Sequence, residues 1–379
     1  LGAVVTIHTG SGKQVRELSP MTGFLSSNDP RVQFGLGEDA HIDRLEVKWP
    51  GGDRQSFADL PADRLYTVTQ GTGDAEPAEN VPSKEHPTKP LYRPSLAAKD
   101  VLHRENAHND FARQPLLPNK LSQLGPALAV GDVNGDGRED LFAGGAAGTP
   151  GQLFLNKSGR YFAAENGTFE SARASEDMGA LFLDADRDGD LDLYVASGGY
   201  EFEEEADELR DRLYLNDGKG SFQRAPETAL PEVSDSGSCV AACDFDRDGD
   251  LDLFVGGRVI PGRYPLSPNS RLLRNDSTPA AVRFADVTDE LAPGLRESGL
   301  VTGALWSDAD NDGWPDLLVA VEWGPIRVFR NAEGTLTDRT AEAGTSELLG
   351  WWNGLTGRDL DGDGDIDYVV TNFGLNTKY

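Results

Sequence analysis

Cysteine, histidine, basic residues and long apolar runs are all scarce in this chain of 379 residues. Two Cys support neither a disulfide framework nor a Cys-rich zinc site. They lie four apart, at Cys239 and Cys243. On one strand that spacing separates their Cα atoms by about 13 Å, too far for a disulfide. They read as packed thiols. Only 35 Lys and Arg stand against 64 Asp and Glu, giving a net charge of −29. Binding to phosphate backbones or to anionic membrane surfaces needs the opposite sign, so nucleic acid is not an expected partner. No run of 18 or more apolar residues is present, and no transmembrane segment is expected. Of the five His, only His103 and His108 lie close together. No third ligand has suitable spacing, so packing is the simpler role. A Gly-x-Ser-x-Gly elbow and a glycine-rich phosphate loop are both missing. Leu1 has no basic-then-apolar leader behind it, and the chain reads as an internal piece of a longer protein.

Negative charge is what the chain has in excess, and it is unevenly placed. Five nine-residue segments share one frame: Asp132-Val-Asn-Gly-Asp-Gly-Arg-Glu-Asp140, Asp184-Ala-Asp-Arg-Asp-Gly-Asp-Leu-Asp192, Asp244-Phe-Asp-Arg-Asp-Gly-Asp-Leu-Asp252, Asp308-Ala-Asp-Asn-Asp-Gly-Trp-Pro-Asp316 and Asp359-Leu-Asp-Gly-Asp-Gly-Asp-Ile-Asp367. They hold 23 of the 64 acidic side chains, 22 Asp and Glu139, in 45 residues. Without a counter-charge such carboxylates repel one another. A hard divalent cation is the chemical remedy.

The spacing is specific for such an ion. Positions 1, 3 and 5 offer alternate side-chain oxygens, position 7 its backbone carbonyl and position 9 a further carboxylate. The candidate ligands are therefore Asp132, Asn134, Asp136, Arg138 and Asp140; Asp184, Asp186, Asp188, Asp190 and Asp192; Asp244, Asp246, Asp248, Asp250 and Asp252; Asp308, Asp310, Asp312, Trp314 and Asp316; and Asp359, Asp361, Asp363, Asp365 and Asp367. Position 7 varies freely, as it should if only its carbonyl matters. Gly fills position 6 in every copy, where a sharp turn is required. An all-oxygen set points to Ca²⁺, about five ions, and away from zinc or copper. These are not EF-hands: position 12 holds Ala143, Val195, Val255, Val319 and Val370 where that loop needs Glu.

Each loop lies between strand-like runs. Ala127–Gly131, Gly179–Leu183, Cys239–Cys243, Gly303–Ser307 and Gly354–Arg358 precede it, and Leu- or Val-rich runs follow. A third run ends in Asn at Asn156, Asn216, Asn275 and Asn331, where the Asn closes a turn. A fourth run follows near Phe162, Phe222, Phe284 and Leu336. Four strands per unit predict an all-β fold, a β-propeller, with the fifth unit incomplete at Tyr379. Five of the six Trp, Trp306, Trp314, Trp323, Trp351 and Trp352, fall in one stretch and are a candidate binding patch, although most Trp are core anchors.

The loops and their flanking runs resemble the FG-GAP (VCBS) repeats of integrin α-subunits and many bacterial surface proteins, over residues 119–379. That resemblance implies a propeller, commonly of seven blades, with Ca²⁺ in the loops. At the N-terminus, Val5-Thr-Ile-His-Thr9, Leu45-Glu-Val-Lys-Trp49 and Tyr66-Thr-Val-Thr69 alternate like strands. The strings Gln33-Phe-Gly-Leu-Gly37 and Val47-Lys-Trp-Pro-Gly-Gly52 resemble the ASPIC/UnbV domain of cartilage acidic protein relatives. Residues 1–71 are therefore assigned as an ASPIC/UnbV-like β-domain, 72–94 as a linker rich in Pro, Glu and Lys, and 95–118 as a lead-in. The function expected is a calcium-stabilised, non-catalytic module for adhesion or for recognising a protein or glycan. It would stand outside the cell, at the cell surface or in the periplasm. A polysaccharide lyase or glycosidase on the same scaffold and a purely structural spacer are the alternatives.

Overall fold

The computed structural model describes residues 3–17, 32, 34–37, 39–49, 53–71, 76–77, 97–164, 167–278, 280–361 and 365–373. Most of the predicted linker 72–94, the start of the lead-in and Asp363 lie outside the described residues. Two units are distinguished, one within Leu1–Arg93 and one within Pro94–Phe373.

In the first unit, β1 (Val4–Thr9), β2 (Gly12–Glu17), β3 (His41–Lys48) and β4 (Arg54–Pro61) form an antiparallel sheet in the order β2-β1-β3-β4. Alternation puts Ile7, Leu45, Val47, Phe57 and Leu60 on one face, where they pack with Phe34, Leu36 and Trp49. Strand β4 was not read from the sequence, because its apolar residues are spaced irregularly around Phe57 and Leu60. The run from Tyr66 keeps only a two-residue strand, β5 (Tyr66–Thr67), paired with β6 (Glu76–Pro77).

The second unit opens with a single helical turn, α1 (Asp110–Arg113), and then repeats one design. Sheet one contains β7 (Leu128–Gly131), β8 (Asp140–Ala143), β9 (Gln152–Asn156) and β10 (Tyr161–Ala163). Sheet two contains β11 (Glu176–Leu183), β12 (Asp192–Gly198), β13 (Arg212–Leu215) and β14 (Gln223–Arg224). Sheet three contains β15 (Ser236–Cys243), β16 (Asp252–Val259), β17 (Arg271–Asn275) and β18 (Phe284–Asp286). The fourth repeat supplies β19 (Leu300–Ser307), β20 (Asp316–Gly324), β21 (Arg327–Ala332) and β22 (Thr335–Asp338). The fifth supplies β23 (Gly350–Arg358) and β24 (Asp367–Asn372), joined to the fourth by pairing of β20 with β23. Among the described residues, no helix is long and apolar enough to cross a membrane.

The acidic segments are the hairpin loops between the first and second strands of each repeat. Gly131 faces Asp140, Leu183 faces Asp192, Cys243 faces Asp252 and Ser307 faces Asp316. In repeats two to five the first strand begins three or four residues earlier than the small residue that marked its start in the sequence. Gly179, Gly303 and Gly354 instead sit at irregularities within longer strands. A Cβ on Gly179 would come within 2.9 Å of the Ser238 carbonyl of the next repeat. Close approach of neighbouring first strands is why the position is small.

Apolar residues of successive sheets interlock into separate cores. Phe142, Leu193, Tyr214 and Phe222 join repeats one and two, and Tyr194, Leu213, Leu253 and Phe284 join two and three. Phe245, Phe254, Leu317 and Phe329 join three and four. Beside the two-stranded fifth sheet, Leu318, Val328, Trp352, Leu355 and Val370 instead line a cavity of about 730 Å³.

Candidate metal centre

In loops one to four the Gly at position 6 takes a left-handed backbone, with φ of +80° at Gly137, +95° at Gly189, +98° at Gly249 and +93° at Gly313. This turn brings its N–H back to the carboxylate of position 1. Gly137, Gly189, Gly249 and Gly313 donate to Asp132, Asp184, Asp244 and Asp308 at 2.7, 3.2, 3.1 and 2.9 Å. The other oxygen of position 1 is left over. Asp184 Oδ1, Asp244 Oδ1 and Asp308 Oδ1 are each buried without a hydrogen-bond partner. A buried carboxylate oxygen with no donor is costly, and the same atom is orphaned in three loops.

Carboxylates gather around the position-1 residue. Oxygens of Asp184, Asp186 and Asp192 lie within 4.8 Å of one another, as do those of Asp244, Asp246 and Asp248, of Asp308, Asp310 and Asp316, and of Asp359, Asp361 and Asp367. These residues fit a hard cation, which would supply positive charge to the orphaned oxygens through ligands of the right class. Loop one makes no such carboxylate trio among the described residues. There Asn134 turns its amide nitrogen to Asp140 at 3.0 Å, and Arg138 pairs with Asp136 at 3.2 Å.

Position 9 has a second task. In loops one to four its carboxylate is almost completely buried, at 0% exposure for Asp140 and Asp252 and 1% for Asp192 and Asp316, whereas Asp367 of loop five is only partly buried. One oxygen accepts the N–H of loop position 2, from Val133, Ala185, Phe245 or Ala309. The other accepts the N–H of the Asn closing the third strand, at 2.7 Å for Asn156, 2.8 Å for Asn216 and Asn275, and 2.7 Å for Asn331. The residue brackets loop to sheet while facing the cation position. Burial pushes Asp192 up to about 7 and Asp252 up to about 8, and raises Asp140 and Asp316 as well. Such values describe carboxylates waiting for a counter-charge.

The third-strand Asn does more than close a turn. Asn216, Asn275 and Asn331 donate side-chain N–H to the carbonyls of Val133, Ala185 and Phe245, each in the loop of the preceding repeat. Nothing in its spacing announces that contact. Asn275 is 1% exposed, so it works inside the fold.

The free variation at position 7 is corrected by the structure. In loops three to five its side chain meets position 4 of the loop before it. Arg187 binds Asp250, the Arg247 guanidinium lies 4.2 Å from the Trp314 ring centre, and Asn311 donates to Asp365 at 2.8 Å. All three position-4 residues have left-handed backbones, φ +65°, +61° and +58°, which aim them sideways. A further counter-ion comes from the third strand: Arg330 binds both Asp310 and Asp312.

The tryptophans do not form one patch. Trp306 is half-buried on Phe245, Trp352 lines the cavity beside the fifth sheet, and Trp314 stays at its loop. Trp351 is 8% exposed and stacks on Phe373, with ring centres 5.0 Å apart. Trp323 alone stands out, 51% exposed, with φ of +61° at an irregularity in β20. Its indole N–H donates to Tyr264, whose hydroxyl donates to Glu322, and Glu322 pairs with Arg258 at 2.5 Å. Cys239 and Cys243 are free, and burial pushes both thiols up to about 11, so neither is a ready thiolate. His103 lies between the Gly144 carbonyl and Glu105, a packing position.

Residues 1–75 match the family model described as ASPIC and UnbV, and residues 127–195, 204–255 and 308–370 match the model described as FG-GAP-like repeat. Cartilage acidic protein 1 of Mus musculus is 28% identical over 228 residues, covering 55% of this chain and 31% of that protein. Integrin alpha-V of Gallus gallus is 27% identical over 209 residues, covering 52% of this chain and 20% of that protein. The chain spans less than a third of the length of either relative. A solved structure of an Agrocybe aegerita lectin that recognises non-reducing terminal N-acetylglucosamine aligns with a TM-score of 0.37 and 16% identity, covering 64% of this chain and 59% of that chain. That likeness is too slight to carry function.

Proposed function

Because the chain carries an ASPIC and UnbV domain followed by FG-GAP-like repeats, we propose that it is a calcium-stabilised extracellular recognition module, built as part of a β-propeller and without catalytic activity. The observation that carries this reading is the orphaned Oδ1 of position 1, repeated at Asp184, Asp244 and Asp308. When bound, Ca²⁺ supplies the positive charge that these loops lack. The protein's own groups do the rest: position 6 Gly turns the loop, position 9 Asp ties it to the sheet, and position 4 joins it to its neighbour. About five ions are proposed, one per loop. Calcium sites of this oxygen-only type in extracellular modules have dissociation constants of about 10⁻⁴–10⁻³ M, far above cytosolic calcium. That supports a location outside the cell, at its surface or in the periplasm.

The ligand class proposed is a protein or a glycan, met at Trp323. A bulky residue at positive φ costs about 1–3 kcal/mol. Here that strain exposes an indole face braced by Trp351 at a ring-centre distance of 5.0 Å. A flat aromatic surface serves sugar faces and protein side chains alike, and performs no proton transfer. The test is a glycan and protein binding screen in calcium, followed by product analysis of every glycan. Binding that weakens at least tenfold in Trp323→Ala, with calcium loading and substrate unchanged, is the expected result. Turnover of any glycan, abolished by changing a carboxylate outside the five loops, would replace this reading with an enzymatic one.

A further inference from the structure

A second acidic cluster occupies the opposite end of the same sheets. Glu176 opens β11 and faces Gly198 at the end of β12, seven residues up the strand from the loop. At about 3.3 Å per residue that is roughly 23 Å away, so no cation in the loop neutralises it. Glu176 is 1% exposed, and neither of its carboxylate oxygens has a hydrogen-bond partner.

Other orphaned oxygens surround it. A Cβ on Gly199 would lie 2.8 Å from Oε2 of both Glu176 and Glu201, which places these two carboxylates side by side. Gly199, at φ +104°, leaves the space they use. Glu105, from the lead-in, approaches the other side, since a Cβ on Gly125 would lie 3.8 Å from Glu176 Oε1 and 3.9 Å from Glu105 Oε1. Oε1 of Glu201, Oε2 of Glu105 and Oδ1 of the adjacent Asn106 are also buried without partners. The neighbouring cations are committed elsewhere. Arg212 binds Asp177 at 2.6 Å, and Arg113 donates to the carbonyls of Tyr200 and Phe202. His103 touches only Glu105 within the cluster, at 2.8 Å.

We propose that Glu176 and Glu201, backed by Glu105, hold one further divalent cation of the Ca²⁺ class, in a site separate from the repeat loops. A single proton would give one donor to several orphaned oxygens and leave two of three negative charges in place. A divalent cation with six to eight oxygen positions answers both deficits. The donor set is all oxygen, which excludes the soft metals. The close grouping of three carboxylates seen in the loops is not reached here, so Glu105 meets the ion through a water, as Ca²⁺ readily allows. Burial and the neighbouring Glu201 and Glu105 push the Glu176 carboxyl up to about 9 in the absence of an ion. The site would fasten the lead-in to the second sheet.

The test is equilibrium dialysis with Ca²⁺ on the full chain, native against Glu176→Gln and Glu201→Gln. Each variant should bind one ion fewer than the native protein. In chelator, each should melt no lower than native, because an uncompensated buried charge has gone. An unchanged ion count in both variants would show that a proton neutralises the pair and would overturn the proposal. Since only the difference is read, the result does not depend on how many ions the loops hold.

Discussion

Loops two and three differ at only one of nine positions, Ala185 against Phe245, yet the fold treats them differently. In loop three the position-7 carboxylate, Asp250, receives Arg187 from the loop before it. In loop two the equivalent Asp190 receives no such cation, because position 4 of loop one is Gly135; Oδ1 of both Asp190 and Asp250 is buried without a partner. Both carboxyls are pushed up to about 6, chiefly by burial. Asp250 is the more deeply buried, and Arg187 offsets part of that penalty. Identical ligands therefore do not make identical sites: each loop's electrostatics include a residue from its predecessor.

Removing the ions should strike both loops alike and has the largest expected effect. With dissociation constants near 10⁻⁴ M and Ca²⁺ at 1 mM, each filled loop adds about 1.4 kcal/mol. Four or five loops then sum to about 6 kcal/mol, and chelation should lower the melting temperature of the second unit by about 10–20 °C. A melt by calorimetry, with and without chelator, checks this. An unmoved transition would mean that the ions are not structural.

Breaking the bracket should come next, and should affect the two loops alike. Asp252→Ala strips an acceptor from the N–H groups of Phe245 and Asn275, and Asp192→Ala does the same to Ala185 and Asn216. Two buried donors left unpaired cost about 2–6 kcal/mol. Denaturant melts in chelator isolate this loss from the loss of the ion. A shift below about 1 kcal/mol in either variant would deny position 9 its bracketing role.

The pH response sharpens the comparison further. Asp190, Asp192, Asp250 and Asp252 all have folded values raised above the ordinary carboxylate range, to between about 6 and about 8. Raised carboxyls hold protons more tightly in the folded state. Their contribution to stability is fully present below the unfolded value and is lost as pH rises through the folded one. In chelator the melting temperature should therefore fall between about pH 4 and pH 8. In saturating Ca²⁺ that fall should disappear, since the ion displaces the protons. The same downward slope in both conditions would contradict cation binding.

The smallest effects exchange the two loops' neighbours. Arg187→Ala should destabilise the calcium-free protein by no more than about 1 kcal/mol, because the guanidinium is 46% exposed. It should also raise the Asp250 value while leaving Asp190 alone. Gly135→Arg should do the reverse for Asp190. Gly135 already has φ +69°, close to the +65° of Arg187, and a Cβ there has 3.9 Å of clearance to the Gly218 carbonyl. Carboxyl titration by NMR reads both changes. A value for Asp190 that stays near 6 in Gly135→Arg would sever the link between position 4 and position 7.

Spacing carried the loop, the hairpin and the four-strand repeat, because each is local and each follows from a period or a turn. Gly at position 6 is legible since few other residues accept its backbone. What spacing does not show is contact between repeats. Arg187 lies 63 residues from Asp250, and Asn331 lies 86 from the Phe245 carbonyl. The irregularity at Gly179 was hidden for a related reason, since a small residue reads as a strand start when its purpose is to admit the neighbouring strand. The tryptophan cluster misled because nearness in sequence did not keep Trp306, packed on Phe245, with Trp323 and Trp351, whose rings meet at 5.0 Å. Glu176 escaped notice because a lone Glu ahead of a strand has no pattern until Glu201 and Glu105 fold against it.

The central claim, one cation for each acidic loop, is tested most directly by counting. Equilibrium dialysis with radioactive calcium on Glu176→Gln protein leaves the five loops as the sites to be filled. The account predicts about five ions per chain, falling by one in Asp184→Ala. A count of none or one would contradict it.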